Sequence, residues 1–545
     1  MCGEANAPGG GGRVSHRTRQ AVATTANASP AARWVLPLLL CAIGLAVFVT
    51  ATLRLNLFMV DDVFISLRYG RHWLAGLGLV YNPGERVEGY TNFLWTVLAA
   101  PSVIAPIGVF PYLRLLNGAF ALLAAWQAGV LLARLQLLAA WRPAAPGTRA
   151  EPVWMALGAA MFLCTPAVLV SNAEGLETML FTLLLLVCVN RLLADRDGSP
   201  VPPAGIALAA LAMTRPDGVS FVLWSIAAAW GLGRPRDYVV RLAATALGLW
   251  GSYWIARWAW YGQPLPNTFY AKGAANAMLL ARGGRELAVF AIVIGGPVLL
   301  LALLPLLGKA RRLAIALWAL IAIRVAFELW SGGPTLGRFR FLVPIVPIVQ
   351  ALLITGAVSR TRRPATKLAV AFVAAAFALV PGWLAYPSAE RSALAYGVGL
   401  HTAHRKLGVD LLQHTTPQAV LAMNDAGFAP LLCDRVNVDM LGLNDLHMAH
   451  LPGRFETRVD VDYLLGRHPD IVVLLGAVPR PHLAQDFLLR PHAAIFASPA
   501  FRAAYGFSRS YAFHAGYHLL VFRRHGSALA DSTFWGGEGA VEAAD

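Results

Sequence analysis

The sequence predicts a polytopic α-helical membrane protein of about eleven transmembrane helices, followed by a C-terminal soluble α/β domain. Three observations carry that prediction. Hydrophobic residues make up 57% of the 545 and charged residues only 14%, where an average soluble domain carries about 25% charged residues. Long apolar runs recur from residue 34 to 386. Beyond residue 387 the hydropathy falls while His, Asp and Arg become frequent. This composition excludes a disordered chain, a collagen-like chain and an ordinary cytosolic enzyme.

Taken in order, residues 1–33 read as a disordered basic tail carrying Arg13, Arg17 and Arg19. The apolar run that follows is long and has no cleavage signature, so the start is not read as a cleavable signal. Apolar runs follow at 34–56, 113–139, 152–170, 176–193, 203–213, 218–233, 239–260, 286–306, 313–331, 340–358 and 367–386. The run at 203–213 is short for a span of about 20 residues. Residues 92–108 are also apolar and are read as a helix lying on the membrane surface. With that choice and a cytoplasmic amino terminus, every inner connector is basic, as the positive-inside rule requires. Those connectors carry Arg134/Arg142/Arg149, Arg191/Arg196, Arg234/Arg236/Arg241, Lys309/Arg311/Arg312 and Arg360/Arg362/Arg363/Lys367. They account for the net charge of +16 without invoking nucleic acid. The odd number of spans places the C-terminal domain outside. Residues 34–386 are thus the membrane domain, 387–525 an external α/β domain and 526–545 a flexible Gly/Ala-rich tail. In the external part, 402–413 reads as a helix and 419–424, 470–475 and 517–523 as strands. The five cysteines show no zinc spacing, and only Cys433 falls in the external domain, so no disulfide framework is expected there.

The outer connectors hold the unusual chemistry. The first begins with Asp61-Asp62 directly after an apolar span and continues through Glu88, Tyr90 and Asn92. Carboxylates at such a place are costly. One of the pair can take a proton from a sugar hydroxyl; equally, one can cap the helix that follows. Glu177 stands at a span's start, where the helix dipole favours an anion, or it faces a sugar or holds a metal. Arg215 either pairs with Asp217 or grips a phosphate. In the loop of Asn267, Phe269, Tyr270 and Lys272, the aromatics stack on a sugar or anchor at the interface, and Lys272 meets a phosphate. Arg338 and Arg340 suit phosphate as planar forks or snorkel to head groups. Asn424-Asp425 and Asn444-Asp445 are candidate sugar contacts that also fit ordinary turn chemistry. Arg324 and Glu328, four apart within one run, read as an internal ion pair. No P-loop, nucleotide-binding glycine fingerprint or Ser-His-Asp signature stands out, so no nucleotide cofactor is expected; a divalent metal is left open.

Strings along the chain resemble a known group. They are DDVFISLRYG, GLGLVYNPGERVEGYTNFLWT, GLETMLF, TRPDG, PNTFYAK, GRFRFLVP, NDAG and DMLGLND, from about residue 57 to 523. With the carboxylate pair after the first span, they resemble the GT-C glycosyltransferases, and within them the terminal β-(1→2) arabinofuranosyltransferase family of actinobacterial cell walls. The resemblance implies a polyprenyl-phosphate sugar donor and transfer on the outer face. It places the catalytic carboxylate at Asp61 or Asp62. One departure stands out: relatives lead to the expectation of a further acid before Arg338, where this chain reads Gly332-Gly333-Pro334-Thr335.

The resulting expectation is an inverting membrane glycosyltransferase of the inner membrane. Asp61 or Asp62 is its base, and Arg215, Lys272, Arg338 and Arg340 hold the donor phosphate. Glu88, Tyr90, Asn92, Glu177, Asn267, Tyr270, Asn424, Asp425, Asn444 and Asp445 contact donor sugar or acceptor. The donor's prenyl chain would lie between 113–139 and 239–260. Its partners are a polyprenyl-phosphate-linked sugar, a cell-envelope glycan and the bilayer, with no nucleic acid. The rival readings are a transporter of lipid-linked sugar or polysaccharide, which predicts polar residues along mid-span positions, and a membrane-anchored envelope-assembly protein without catalysis.

Overall fold

The computed structural model describes residues 32–139, 152–194, 200–273, 277–334, 339–536 and 540–542. The tail read at 1–33 lies outside them up to residue 31, as do Arg142, Arg149 and Arg196 of the inner connectors and Arg338.

All eleven apolar runs are helical. They form α1 (Ala32–Arg54), α4 (Val109–Ala139), α5 (Pro152–Leu163) with α6 (Pro166–Ala173), α7 (Thr178–Ala194), α8 (Pro203–Thr214) and α9 (Gly218–Gly231). Then come α10 (Arg236–Tyr261), α12 (Ala277–Val293), α13 (Arg311–Ser331), α14 (Val346–Val358) and α15 (Pro364–Gly399). Between them, the outer connectors carry α2 (Asp62–Leu74), α3 (Phe93–Ala99) and α11 (Asn267–Lys272). Among the described residues, five helices are long and apolar enough to cross a bilayer, or up to seven if each bent pair is one span. One pair, α5–α6, bends by 59° at Pro166, whose ring cannot continue the preceding turn. The other joins α12 to a 3₁₀ segment, Gly296–Leu307, through 87°. Gly295 there has φ 142°, open only to a residue without a side chain. The remaining helices, α7, α8, α9 and α14, are shorter and apolar. The 92–108 segment is likewise too short to cross: α3 runs into one 3₁₀ turn, Ala100–Val103.

The helices pack closely through small residues. A side chain at Gly129 of α4 would come within 2.3 Å of the Met155 carbonyl of α5. Helices α7 and α8 pack in the row between α4 and α10, so the groove expected between 113–139 and 239–260 is filled by protein. On its outer face α10 exposes Val240, Leu247, Leu249, Ile255 and Trp258. Such a surface calls for an apolar solvent, and the protein is a membrane protein.

The hydropathy drop at 387 is not a helix boundary. Despite Pro381 and Pro387, α15 continues to Gly399 and then, through a π-turn at Leu400–Arg405, into α16 (Lys406–His414). The C-terminal part then builds a six-stranded sheet, ordered β2-β1-β3-β5-β4-β6. Its strands are β1 (Val420–Met423), β2 (Val436–Asp439), β3 (Ile471–Gly476), β4 (Tyr505–His514), β5 (Tyr517–Arg524) and β6 (Ala540–Glu542). Strands β2, β1 and β3 run parallel, and β3, β5 and β4 antiparallel. The apolar run IVVLL becomes the central β3, buried at every residue, as expected of a strand covered on both faces. The β1–β2 crossover is α17 (Phe428–Cys433). Helices α18 (Leu446–His450), α19 (Val461–Gly466), α20 (Arg490–Ala497) and α21 (Pro499–Ala504) complete the layer.

The reading of 526–545 as a loose tail is corrected for residues 526–536; residues 537–539 and 543–545 lie outside the described residues. Asp531 caps α22 (Ser532–Trp535) by accepting hydrogen bonds from Thr533 and Phe534. Trp535 is buried, and its Nε1 donates to the His414 carbonyl at 2.9 Å. Arg509 lies 3.7 Å over the Phe534 ring. Composition concealed this, because two aromatics among glycines and alanines suffice to dock the segment. Trp535→Ala is expected to cost about 3–5 kcal/mol of stability, read as a lower unfolding temperature of the detergent-purified protein.

Candidate active site

The first outer segment is fastened to the C-terminal domain. Arg68 of α2 is completely buried, and its guanidinium donates to the carbonyls of Tyr81 (2.8 Å), Arg435 (2.6 Å) and Pro430. Arg71 donates to the Leu431 carbonyl at 2.6 Å, and His72 meets Asp434 at 3.0 Å. Tyr81 donates to the Ala426 carbonyl, and Tyr69 to the Val87 carbonyl and to Asn444 Oδ1. Long charged and phenolic side chains thus satisfy backbone oxygens at loop and helix ends that would otherwise be orphaned.

This clamp separates the two adjacent carboxylates. Asp61 precedes α2 in the capping position but makes no capping bond. Its oxygens instead accept from the amides of Gly427 (3.0 Å) and Phe428 (2.8 Å), while its own amide donates to the Tyr396 hydroxyl. Desolvation pushes the Asp61 carboxyl up to about 6, with Asp425 and Asp62 adding to the rise and His404 and the Phe428 amide opposing it. Gly427 permits the approach: a Cβ there would meet Asp61 oxygens at 2.2 and 2.4 Å. Behind it, Asp425 accepts from Tyr517 at 2.9 Å and pairs with His404 at 2.8 Å. Burial would raise the Asp425 carboxyl, yet these partners hold it below its ordinary value. Asp62 faces the other way. Its carboxylate is 55% exposed and stands 3.4 Å from Arg340.

Beyond Asp62 lies a cationic arm. Lys272, at the end of α11, is accessible to solvent yet enclosed enough for desolvation to lower its pKa; Asp62 opposes that shift, whereas Arg340 and Arg215 add to it. The four groups therefore share one electrostatic neighbourhood. Arg340 is largely buried, with its Nε unpartnered. Arg215 is braced by Glu177 at 2.7 Å and Asp217 at 2.9 Å, and lies 4.4 Å over the Phe341 ring. Asp217 also binds Arg324. Against the effect of burial, the charges of Arg215 and Arg324 hold the Asp217 carboxyl below its ordinary value.

The other expected site residues divide by surroundings. Asn92 accepts from Ser66 and Thr96 and donates to Glu177, so Asn92 and Glu177 brace Arg215. Glu88 is buried against Arg257, and burial raises its carboxyl to about 7 against the opposing Arg257. Tyr90 is buried against Tyr261. Asn267 donates to the carbonyls of Gly442, Leu443 and Asp445, and Asn444 holds Asp439 at 2.8 Å. Asp445 caps α18 through the Met448 amide. Glu88, Tyr90, Asn267, Asn444 and Asp445 hold loops together instead of facing the cationic arm. Asn424 is buried beside Asp425, and Tyr270 stacks on His450 at 4.7 Å. Arg338 lies outside the described residues. The ion pair expected between Arg324 and Glu328 is corrected: Arg324 reaches across to Asp217 and the Phe341 carbonyl. Sequence reading missed His404, Tyr517 and Arg257; only Arg257, a charge inside an apolar run, carried a signal. Among the described residues no group of three or more His, Cys, Asp or Glu is placed to hold a metal.

The fold is similar to that of a solved membrane-protein relative. ArnT from Cupriavidus metallidurans, solved in the apo state, aligns with 91% of this chain and 98% of its own. The TM-score is 0.55 and the identity 14%. The same protein bound to undecaprenyl phosphate aligns with 90% and 98%, again at a TM-score of 0.55 and 14% identity. The terminal β-(1→2)-arabinofuranosyltransferase of Mycobacterium tuberculosis (strain ATCC 25618 / H37Rv) is 30% identical over 233 residues. That match spans 40% of this chain and 35% of the relative's length. Residues 396–534 match a family model described as a domain of unknown function (DUF8728).

Two outcomes follow from the Asp61 environment. Gly427→Ala forces Asp61 off the amides and is expected to lower turnover while leaving the folded state populated, checked by activity beside a thermal unfolding curve. A carboxyl raised on folding from 3.8 to about 6 adds stability below 3.8, and that contribution is lost as pH rises through about 6. The unfolding temperature of the wild type is therefore expected to fall relative to Asp61→Asn across that window; the opposite slope would contradict the burial argument.

Proposed function

We propose that the protein transfers a sugar, arabinofuranose first among candidates, from a polyprenyl-phosphate donor to a cell-envelope glycan at the outer face of the inner membrane. The observation carrying this is the contact of solvent-open Asp62 with Arg340 at 3.4 Å, with Lys272 and Arg215 acting electrostatically on the same neighbourhood. The ArnT structure with undecaprenyl phosphate and the arabinofuranosyltransferase relative support the donor class. In this reading the N-terminus is cytoplasmic and the C-terminal domain external.

The chemistry divides among these groups. The acceptor hydroxyl oxygen attacks the anomeric carbon from the side opposite the phosphate, inverting that centre. Its proton passes to Asp62. The anomeric C–O bond to phosphate breaks, and the electron pair leaves with the polyprenyl phosphate. Arg340 and Lys272 stabilise the departing anion, a role suited to preorganised cations in a partly desolvated site. Arg215, neutralised by Glu177 and Asp217, fixes the Phe341 wall beneath them. Asp61, engaged by two amides, is the positioning residue that aims Asp62.

The test is transfer from radiolabelled polyprenyl-phosphate sugar by the purified protein. Asp62→Asn is expected to lose about 10²–10⁴-fold in turnover, and Arg340→Ala to raise the donor KM. Full turnover in Asp62→Asn would overturn the mechanism.

A further inference from the structure

A concavity lies where the outer connectors meet the C-terminal domain. It measures about 660 Å³ and is lined by Glu85, Arg86, His447, His450, Tyr463 and Arg467. That volume is within the range of about 300–1,000 Å³ typical of ligand sites. Its aromatic surfaces are built in advance. His447 stacks on Tyr463 at 4.0 Å and 20°, and Tyr463 is fixed by donating to Asp445 at 2.9 Å. His450 stacks on Tyr270. Both histidine rings are exposed.

Two of its charged groups are met internally. Arg467 pairs with Glu85 at 2.6 Å and His447 with Asp460 at 2.9 Å, while Arg86 is held against a neutral face, 4.2 Å over the Trp260 ring. Flat rings bordered by paired donors and acceptors suit an uncharged polyol. The C–H face of a sugar ring lies on the aromatic plane, and vicinal hydroxyls bridge an Arg–carboxylate fork. Position supports the same occupant. His450 of the pocket stacks on Tyr270 of α11, the six-residue helix that ends at Lys272.

We propose that this pocket is a subsite for an uncharged oligosaccharide, holding the acceptor glycan so that its end reaches Asp62. The proposal deepens the transferase reading and rests on it for the word acceptor, but oligosaccharide binding is testable without turnover. The full-length protein in detergent is titrated with neutral arabinan, galactan and mannan fragments, by saturation-transfer NMR and calorimetry, with undecaprenyl phosphate as a control. The wild type is expected to bind at least one fragment. The double variant His447→Ala/His450→Ala is expected to bind it about tenfold more weakly, with undecaprenyl phosphate binding unchanged. His447→Phe, which keeps a flat ring, is expected to restore part of the affinity, as a merely structural role would not. Binding of fragments by wild type and by Asp62→Asn, with transfer absent from both, would refute the transferase reading and leave the subsite standing. No binding of any neutral fragment, unchanged binding by the double variant, or preference of the pocket for anionic glycans would overturn the proposal.

Discussion

The buried guanidinium of Arg68 is the constraint on which the rest depends. A cation removed from water must find dense compensation, and breaking such an arrangement commonly costs about 3–5 kcal/mol. Here the compensation comes from carbonyls on both sides of a boundary: Tyr81 of the first outer segment, and Pro430 and Arg435 of the C-terminal domain. The face of Tyr81 lies 4.5 Å beneath it. Because those carbonyls are at fixed places in α17 and before β2, α2 has one permitted orientation. That orientation points Asp61 at Gly427 and Asp62 at Arg340. The polar residues around it are therefore scaffolding for a charge arrangement and contribute to the pocket through geometry.

The membrane part was legible because hydrophobic solvation leaves a strong imprint. Every apolar run became a helix or bent pair, although among the described residues only five to seven of them are long and apolar enough to cross a bilayer. Element lengths were less legible. Runs broken at Pro166 and Gly295 read as continuous, because hydropathy does not record where the backbone turns. In the C-terminal domain, strands β1, β3 and β5 announced themselves as apolar runs. Strand β2 has only four residues, two of them polar, and β4 mixes Ser and Arg among aromatics and carries register shifts. Neither presents a clean period of two.

At the site, residue types pointed to the right loops but not to the division of labour between them. That Asp61 and Asp62 do different things follows from neighbours 278 to 367 positions away, and adjacency in sequence cannot reveal it. Glu177 and Asn92 read as ligand contacts or a dipole partner, yet together they brace Arg215, whose pairing with Asp217 was one of its two open readings. The same holds for Glu88 with Arg257. In a site close to the bilayer, an unpaired charge is expensive, so acids tend to be used for holding cations in place. The few groups left open, Asp62 and Lys272, stand out against that background.

The contact between Asp61 and Gly427, 366 residues apart, has a consequence for biosynthesis. Ribosomes deliver the chain from its amino end, so the helices enter the bilayer well before the segment that orients the reactive pair exists. Until the last third has folded, Asp61 lacks its two amide donors and Asp62 lacks a defined aim. A nascent or truncated chain therefore holds the helices without the arrangement of the two carboxylates, which arrives only when the C-terminal domain is complete.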